Sequence, residues 1–203
     1  MSNHLGRVTP RKKENALETT SVTQKERSAL KILLWIAVFV LFFSVVAFFL
    51  VKNMHDKFFP RHDRPDYSGY IRFDDVTNKV DITKVKFSSG SNTLAGYIFG
   101  AKNNKGLVVI AHGLGGGAES YLSEAMYFVK QGWRVFSYDC TGSHASEGKN
   151  TRGLPQSVID LNAALEYVAS NDALKDLPIM LYGHSWGGYA VTAILNFNHQ
   201  INA

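Results

Sequence analysis

The sequence has only one cysteine, Cys140, among its 203 residues. A single cysteine excludes an internal disulfide and a metal site built from several cysteines. Hydrophobic residues make up 45% of the chain and charged residues 19%, which is an ordinary composition for a folded protein. We therefore expect a globular region stabilised by an apolar core, with no bound metal and no cofactor.

The globular part of the chain has almost no net charge. The formal net charge is +5, and residues 1–31 contribute +4 of it, because they hold seven Lys or Arg and three Glu. The remaining 172 residues carry only +1. The basic isoelectric point is therefore a property of the N-terminal tail, and we expect no nucleic-acid partner for the folded part.

Residues 32–51, "ILLWIAVFVLFFSVVAFFLV", contain no charge, and Ser44 is the only polar side chain among them. A helix of this length measures about 30 Å, which matches the hydrocarbon thickness of a bilayer. A core helix is rarely apolar on all sides over five turns. A signal peptide has a shorter apolar region that ends at small residues, whereas this one continues into "FFLVKNMHDKFFP". We predict an uncleaved transmembrane anchor at residues 30–52, with the lipid bilayer as its partner.

The predicted anchor separates a tail from a stalk and a domain. Residues 1–29 are polar and basic without an apolar period, which predicts a disordered tail. Residues 53–79 contain two prolines and a glycine that break any long helix, which predicts a stalk, and a folded domain follows at residues 80–203. Seven Lys or Arg precede the apolar run of residues 32–51, and four follow it in residues 52–66. This asymmetry favours a single-pass cell-membrane protein with a cytoplasmic N-terminus and an extracytoplasmic domain.

The hydrophobic pattern after residue 80 predicts an alternation of strands and helices. Two segments alternate as the strands of a half-buried hairpin do, three short runs are apolar throughout, and three stretches have helical spacing. In chain order these are strands at 80–89, 92–100 and 106–113, a helix at 118–131, a strand at 133–139, a helix at 154–171, a strand at 178–185 and a helix at 187–197. This order predicts an α/β fold in which two antiparallel strands precede a mostly parallel sheet with helices on both faces.

The stretch "GHSWGG" at residues 183–188 contains a Gly-x-Ser-x-Gly core around Ser185. The motif alone is common by chance, but here an apolar strand leads into it and a helix leads out, which is the context of a nucleophile elbow. Gly183 and Gly187 would let the strand and the helix pass closely without Cβ clashes. We therefore predict Ser185 as a nucleophile that projects above the sheet.

A second glycine-rich stretch, "AHGLGGG" at residues 111–117, overlaps the end of the predicted strand 106–113. Its glycines leave backbone N–H groups free to face a ligand. In an acyl-transfer site, two such donors hold the oxyanion that develops in the transition state. We predict that the amides of Leu114 and Trp186 form this oxyanion hole.

Residues 106–198 resemble the first half of an α/β-hydrolase. Three motifs in the family's order carry the resemblance: His112-Gly113 as the oxyanion loop, "YDCTGSHASEG" at 138–148 after the fourth strand, and "GHSWGG" as the elbow. Their spacing is similar to that of the serine aminopeptidase S33-like or monoacylglycerol-lipase-like hydrolases. The resemblance implies hydrolysis of an ester or amide bond through an acyl-enzyme. The substrate would be a small-molecule ester, a lipid or a peptide, and this fold does not say which.

The resemblance also implies a catalytic acid and a catalytic histidine on loops that follow later strands, and the chain ends before such loops. This predicts a C-terminally truncated domain with an incomplete triad. His199 is no substitute, because along one helix it would lie about 21 Å from Ser185, whereas a general base acts at roughly 3 Å.

The remaining candidate side chains have structural roles in this prediction. His184 packs under the turn, His112 forms structural hydrogen bonds, Asp139 holds its own loop, and Cys140 is a plain small side chain. His144 is the one histidine on the active face that could approach Ser185, and we expect it to be a solvated loop residue instead. His55 and His62 belong to the predicted stalk and His4 to the tail.

Without a sixth strand beside it, the predicted strand 178–185 would be an apolar edge with unpaired backbone groups. Three hypotheses follow. The chain is a membrane-anchored serine hydrolase that is inactive, or nearly so, in this truncated form. Alternatively, it is a non-catalytic membrane-tethered module that pairs with a partner through its open sheet edge. In the third hypothesis, a second chain supplies the acid and the base.

Overall fold

A computed structural model describes residues 10–66, 69–76 and 78–203, with side chains from residue 24 onward. The chain divides into two compact units, Met1–Asn53 and Met54–Ala203. Residues 1–9 of the predicted tail lie outside the described residues. The functional motifs of the sequence all fall in the second unit.

Helix α1 spans Pro10–Phe58. Residues 11–58 contain neither Gly nor Pro, and Pro10 lies in the first turn, where a missing N–H is tolerated. For this reason the helix includes residues 10–29, which the sequence predicts to be disordered, and the first residues of the predicted stalk. The stretch Gln24–Phe58 is long and apolar enough to cross a membrane, by length and composition alone. A signal sequence near the N-terminus would have the same properties.

The second unit contains five strands that form one sheet. They are β1 (Ile82–Ser89), β2 (Asn92–Phe99), β3 (Leu107–Ala111), β4 (Arg134–Tyr138) and β5 (Ile179–Gly183). Their order in the sheet is β1-β2-β4-β3-β5. β2 is antiparallel to both β1 and β4, whereas β3 is parallel to both β4 and β5. The predicted α/β architecture, with an antiparallel pair before parallel strands, is confirmed.

Helices cover both faces of the sheet. They are α2 (Phe73–Val76), α3 (Leu122–Lys130), α4 (Leu154–Ser170) and α5 (Trp186–Ala193), with short 3-10 helices at Ala118–Tyr121 and Ile194–Asn196. Alternate residues of β3 face opposite layers: Val109 packs in the core under α4 and α5, while Val108 and Ile110 pack in the core that includes α2 and α3. This burial on both faces explains why β3 is apolar throughout. The last α-helix ends at Ala193, four residues earlier than predicted.

Strand β5 lies at the edge of the sheet, but its backbone is partly paired. The Leu181 N–H donates to the Ala203 carbonyl at 2.8 Å, and the Ala203 N–H donates to the Ile179 carbonyl at 3.3 Å. This pattern places Ala203 parallel to Met180. The prediction of an unpaired edge is therefore wrong at these residues, because the last residues of the chain turn back and pair with β5.

Residues 59–66 and 69–76, which we call the connecting segment, follow α1 and pack within the second unit. Pro60 forms a β-bridge with Asn150, and the ring of Phe73 stacks on Tyr97 with 4.6 Å between the ring centroids. Most of the predicted stalk is thus part of the folded unit, because its aromatic and arginine side chains find partners there.

Substitution of Phe136 in β4 tests the core between the sheet and α4. Its ring is fully buried and lies 5.8 Å from Phe87 and 5.4 Å from Tyr167, measured between ring centroids. Replacing Phe136 with Ala would leave a cavity, and we expect the free energy of unfolding to fall by about 3–5 kcal/mol. Urea denaturation of the detergent-solubilised chain, followed by near-UV circular dichroism, measures this change. Tyr127, which is 61% exposed, is the control, and Tyr127→Ala should change the value by less than about 0.5 kcal/mol. Equal losses in the two variants would contradict the assignment of the core.

Candidate active site

Ser185 forms the turn between β5 and α5. Its backbone has φ 53° and ψ −114°, a positive φ that is strained for a residue with a side chain. Two hydrogen bonds close the turn: the Gly187 N–H donates to the His184 carbonyl at 2.9 Å, and the Tyr189 N–H donates to the Ser185 carbonyl at 3.0 Å. The side chain of Ser185 is exposed beyond the carboxyl end of β5. Strain held by the surrounding structure is typical of residues at functional sites.

Two glycines allow the close packing around this turn. A Cβ on Gly183 would overlap the carbonyl group of Gly187, and a Cβ on Gly187 would overlap the carbonyl group of Ala111 at the end of β3. The start of α5 therefore lies directly against both β5 and β3. Any larger residue at position 183 or 187 would push the helix away from the sheet.

The loop after β3 begins with a tight turn over residues 113–116. The Gly116 N–H donates to the Gly113 carbonyl at 3.1 Å, and Gly115 has φ 82°, as the third residue of a type II turn requires. The Nδ1 atom of His112 also lies 2.8 Å from the Gly113 carbonyl. Because the peptide bond is planar and trans, the Leu114 N–H points opposite to this carbonyl. Two hydrogen bonds to the Gly113 oxygen thus set the direction of the Leu114 amide.

The amides of Leu114 and Trp186, the predicted oxyanion donors, find no acceptor in the part of the chain that the structure describes. The indole of Trp186 is 2% exposed and its Nε1 donates to the Leu154 carbonyl at 3.0 Å. Only the backbone of Trp186 is therefore available to a ligand, at the first residue of α5.

His112 joins the loops that follow β3 and β4. It is fully buried, and its Nε2 accepts a hydrogen bond of 2.8 Å from the Cys140 N–H. Nδ1 then carries the proton and donates to the Gly113 carbonyl. Burial lowers the pKa of His112, which keeps the ring neutral in this arrangement. The predicted role of His112 as a structural hydrogen-bonding residue is confirmed.

Tyr121 connects the loop after β3 to the turn at Ser185. Its hydroxyl accepts a hydrogen bond of 3.0 Å from the Gly113 N–H and lies 2.8 Å from Nδ1 of His184. Burial raises the pKa of Tyr121, so the hydroxyl keeps its proton, and the tautomer of His184 decides which of the two groups donates in their contact. The prediction that His184 packs under the turn is wrong, because this hydrogen bond holds its exposed ring on the open face. Tyr121 and His184 lie 63 residues apart, so no local sequence signal indicated the contact.

These groups line a cavity of about 320 Å³ at the carboxyl end of β5. Its lining consists of residues 113–116, Ser120, Tyr121, His184 and Ser185. A larger cavity of about 620 Å³ lies at the amino end of β5, beside Pro178 and Ile179. Ligands of α/β sheets bind beyond the carboxyl ends of the strands, so the smaller cavity is the candidate active site.

Asp139 and Cys140 have the structural roles that the sequence predicts. Asp139 accepts hydrogen bonds from the Ala118 N–H at 2.7 Å and the Ala145 N–H at 3.2 Å, and Cys140 is buried with 1% exposure. Burial raises the pKa of the Cys140 thiol, which makes it unreactive. Asp139 therefore holds the loop after β4, and the side chain of Cys140 packs in the core.

The structure brings no second catalytic side chain to Ser185 within the described part of the chain. His144 is 8% exposed, so its prediction as a solvated residue is wrong; its N–H donates to the His62 carbonyl at 2.8 Å, and the connecting segment covers it. His199 lies beyond α5, with Nε2 2.8 Å from Oδ1 of Asn162. In the same described residues, no cluster of His, Cys, Asp or Glu is placed to hold a metal ion.

Gly187 and Gly188 provide a matched pair of substitutions. In Gly187→Ala the new Cβ would overlap the Ala111 carbonyl, whereas in Gly188→Ala its nearest neighbour would be 3.6 Å away. We expect Gly187→Ala to lower the free energy of unfolding by about 3 kcal/mol or more. Gly188→Ala should leave it unchanged or raise it by up to about 1 kcal/mol, because Ala is the better helix former. Thermal denaturation of the two variants measures the difference, and similar melting temperatures would contradict the close contact.

Comparisons with known proteins place this geometry in a family. Residues 102–202 match the family model described as serine aminopeptidase, S33. An esterase from Pyrococcus furiosus is similar over 68% of this chain and 52% of its own, with a TM-score of 0.57 and 22% identity. An α/β hydrolase from a Penicillium species is similar over 59% of this chain and 43% of its own (TM-score 0.53, 24% identity). A dienelactone hydrolase from Anabaena variabilis is similar over 62% of each chain (TM-score 0.52, 20% identity).

The chain spans about half the length of the Pyrococcus esterase. No curated protein sequence matches the chain significantly. At identities below 25%, the solved structures establish the fold alone. The family model covers residues 102–202, from the loop before β3 to the residues that pair with β5. The sheet order, the turn at Ser185 and these matches together show that the chain belongs to the α/β-hydrolase superfamily, with residues 102–202 matching its serine aminopeptidase S33 family.

Proposed function

We propose that the chain is part of a membrane-anchored serine hydrolase that cleaves ester or amide bonds, with Ser185 as the nucleophile. The positive φ of Ser185 at the turn between β5 and α5 is the observation that carries the proposal. The similar solved structures include proteins named esterase and dienelactone hydrolase. On that basis we take a small-molecule ester as the first substrate class to test.

The proposed reaction begins with attack of the Ser185 oxygen on the carbonyl carbon of the substrate. The proton of the hydroxyl passes to a general base, and the electron pair of the carbonyl moves onto its oxygen. The amides of Leu114 and Trp186 donate hydrogen bonds to this oxyanion, and each such donor is worth about 2.7–4 kcal/mol in a transition state. The oxyanion then re-forms the carbonyl, and the bond to the alcohol or amine breaks as that group takes the proton from the base. Water hydrolyses the acyl-enzyme that remains on Ser185.

The described residues do not supply the base. A general base acts at about 2.6–3.2 Å, and His112 and His199 are hydrogen-bonded elsewhere, while His144 is buried under the connecting segment. His184 is adjacent to Ser185, but its Nδ1 lies 2.8 Å from the Tyr121 hydroxyl. We therefore propose that the 203-residue chain by itself reacts slowly, with only the nucleophile and the oxyanion donors in place.

We further propose that the apolar stretch of α1 anchors the protein in a membrane. Its length and composition support a single span. The excess of Lys and Arg on the N-terminal side supports a cytoplasmic N-terminus and an extracytoplasmic hydrolase unit.

Covalent labelling with a fluorophosphonate tests the nucleophile. We expect slow labelling of the full chain that becomes faster as imidazole is added, because imidazole supplies the missing base. Ser185→Ala should not be labelled, whereas Ser88→Ala, which removes an exposed hydroxyl in β1, should behave like the unchanged chain. Mass spectrometry of the labelled peptide identifies the residue.

Labelling of another residue, or equal labelling of Ser185→Ala, would refute the assignment of the nucleophile. Rapid labelling that does not respond to imidazole would refute the proposal that this chain lacks a base.

Leu114 offers a way to remove one oxyanion donor without disturbing its loop. Proline has no N–H and is favoured at the second position of a type II turn, which Leu114 occupies before Gly115. We expect Leu114→Pro to reduce the imidazole-assisted labelling rate of Ser185 about 100-fold or more. Leu114→Ala keeps the N–H, and its rate should stay within about threefold of the unchanged chain, since only an exposed side chain is lost. Equal rates for the Pro and Ala variants would argue against the Leu114 amide as a donor.

A further inference from the structure

The connecting segment begins immediately after α1 and is clamped to the loop after β4 by Arg61. The guanidinium group of Arg61 donates hydrogen bonds to three backbone carbonyls, those of His144 at 2.6 Å, Ser146 at 2.9 Å and Gly148 at 2.9 Å. A planar guanidinium suits such a cluster of acceptors better than an ammonium group does. This clamp brings the following residues, 62–64, to the surface that bears the candidate active site.

Arg64 pairs with a buried carboxylate. Its guanidinium donates two hydrogen bonds of 2.6 Å to Glu119, whose side chain is 1% exposed. The Phe73 N–H donates to the same carboxylate at 2.8 Å, and Arg72 lies 3.4 Å from it. Burial raises the pKa of Glu119, but the hydrogen bonds from Arg64 and Phe73 outweigh it, so this pKa lies below its usual value. All three of these partners of Glu119 come from the connecting segment.

Glu119 lies in the 3-10 helix Ala118–Tyr121, which directly follows the loop of residues 113–117. The same short helix carries Tyr121, whose hydroxyl accepts the Gly113 N–H and contacts His184. Movement of this helix would therefore move Tyr121 and with it Gly113, whose carbonyl lies in the same peptide group as the Leu114 N–H.

We propose that Arg64 is a positioning residue for the hydrolase site: through Glu119 it fixes the 3-10 helix that holds the loop of residues 113–117 against the turn at Ser185. The significance of this role for catalysis rests on the proposed function, whereas the structural link can be tested without any activity. In this proposal, the connecting segment stabilises the geometry of the candidate active site in addition to linking α1 to the sheet.

Asp139 offers a competing explanation, because it also holds the 3-10 helix through the Ala118 N–H. If Asp139 alone were sufficient, loss of Arg64 would leave the loop undisturbed. The experiment must therefore measure local opening of the loop and distinguish it from a change in the stability of the whole unit.

Hydrogen–deuterium exchange of the full chain in detergent provides this reading. In Arg64→Met we expect the peptide that covers residues 113–121 to exchange about tenfold or more faster, because Glu119 loses its main partner and the local opening becomes easier. Peptides from β3 and α4 should exchange at unchanged rates. The matched control is Arg152→Met, which removes an exposed arginine of the same unit and should change none of these peptides.

A second pair of variants shows whether Arg64 acts through Glu119. Glu119→Gln also weakens the pair but avoids leaving a buried charge. In this background we expect the addition of Arg64→Met to change the exchange of residues 113–121 by less than about twofold, because coupled residues are not additive. Arg64→Lys, which keeps the charge but not the paired hydrogen bonds, should lie between the unchanged chain and Arg64→Met.

Unchanged exchange in Arg64→Met, a uniform increase over the whole unit, or an undiminished effect in the Glu119→Gln background would overturn the proposal. Labelling of Ser185 reports separately on the proposed function. A protein that shows the local exchange effect but no reactive Ser185 would keep the positioning link and lose the hydrolase assignment.

Discussion

The contact of Gly187 with the carbonyl of Ala111 is the constraint on which the candidate site depends. It lets α5 start directly against β3, so that the turn at Ser185 lies beside the loop that leaves β3. Both glycines around the serine allow approaches that no Cβ could occupy. The strained backbone of Ser185 persists because the strands and the helix around it leave no relaxed alternative.

The second requirement is a fixed direction for the loop of residues 113–117. Glycine-rich loops are flexible in isolation, so the surrounding structure has to order this one. The Gly113 peptide groups are held from two sides, by His112 at the carbonyl and by Tyr121 at the N–H. Each of these partners is itself held by another element, His112 by the backbone after β4 and Tyr121 by the 3-10 helix that Glu119 and Asp139 stabilise. Buried polar groups with all their hydrogen bonds made favour a single arrangement over many.

The strands, their order along the chain and the turn at Ser185 were predictable because each has a local signature. The apolar run of β3, the alternation in β1 and β2, and the spacing around Ser185 each follow from the burial pattern of the element itself. The prediction failed where a side chain meets a partner far away in sequence. His184 was expected to pack under the turn and instead bonds Tyr121, and His144 was expected in solvent and lies under the connecting segment. The pairing of Ala203 with β5 was missed for the same reason, because nothing in the local sequence "INA" indicates that the chain turns back toward β5.

The sequence by itself determined the class of fold, the apolar helix near the N-terminus and the serine between two glycines, because periodicity and Cβ-free positions are local properties. Only the tertiary structure decided that the connecting segment belongs to the folded unit, that Arg64 meets Glu119, and that His199 bonds Asn162 and not Ser185. Arg64 and Glu119 are 55 residues apart. Their pairing follows from the shape of the folded unit, since a buried carboxylate must find its partner wherever the fold brings one.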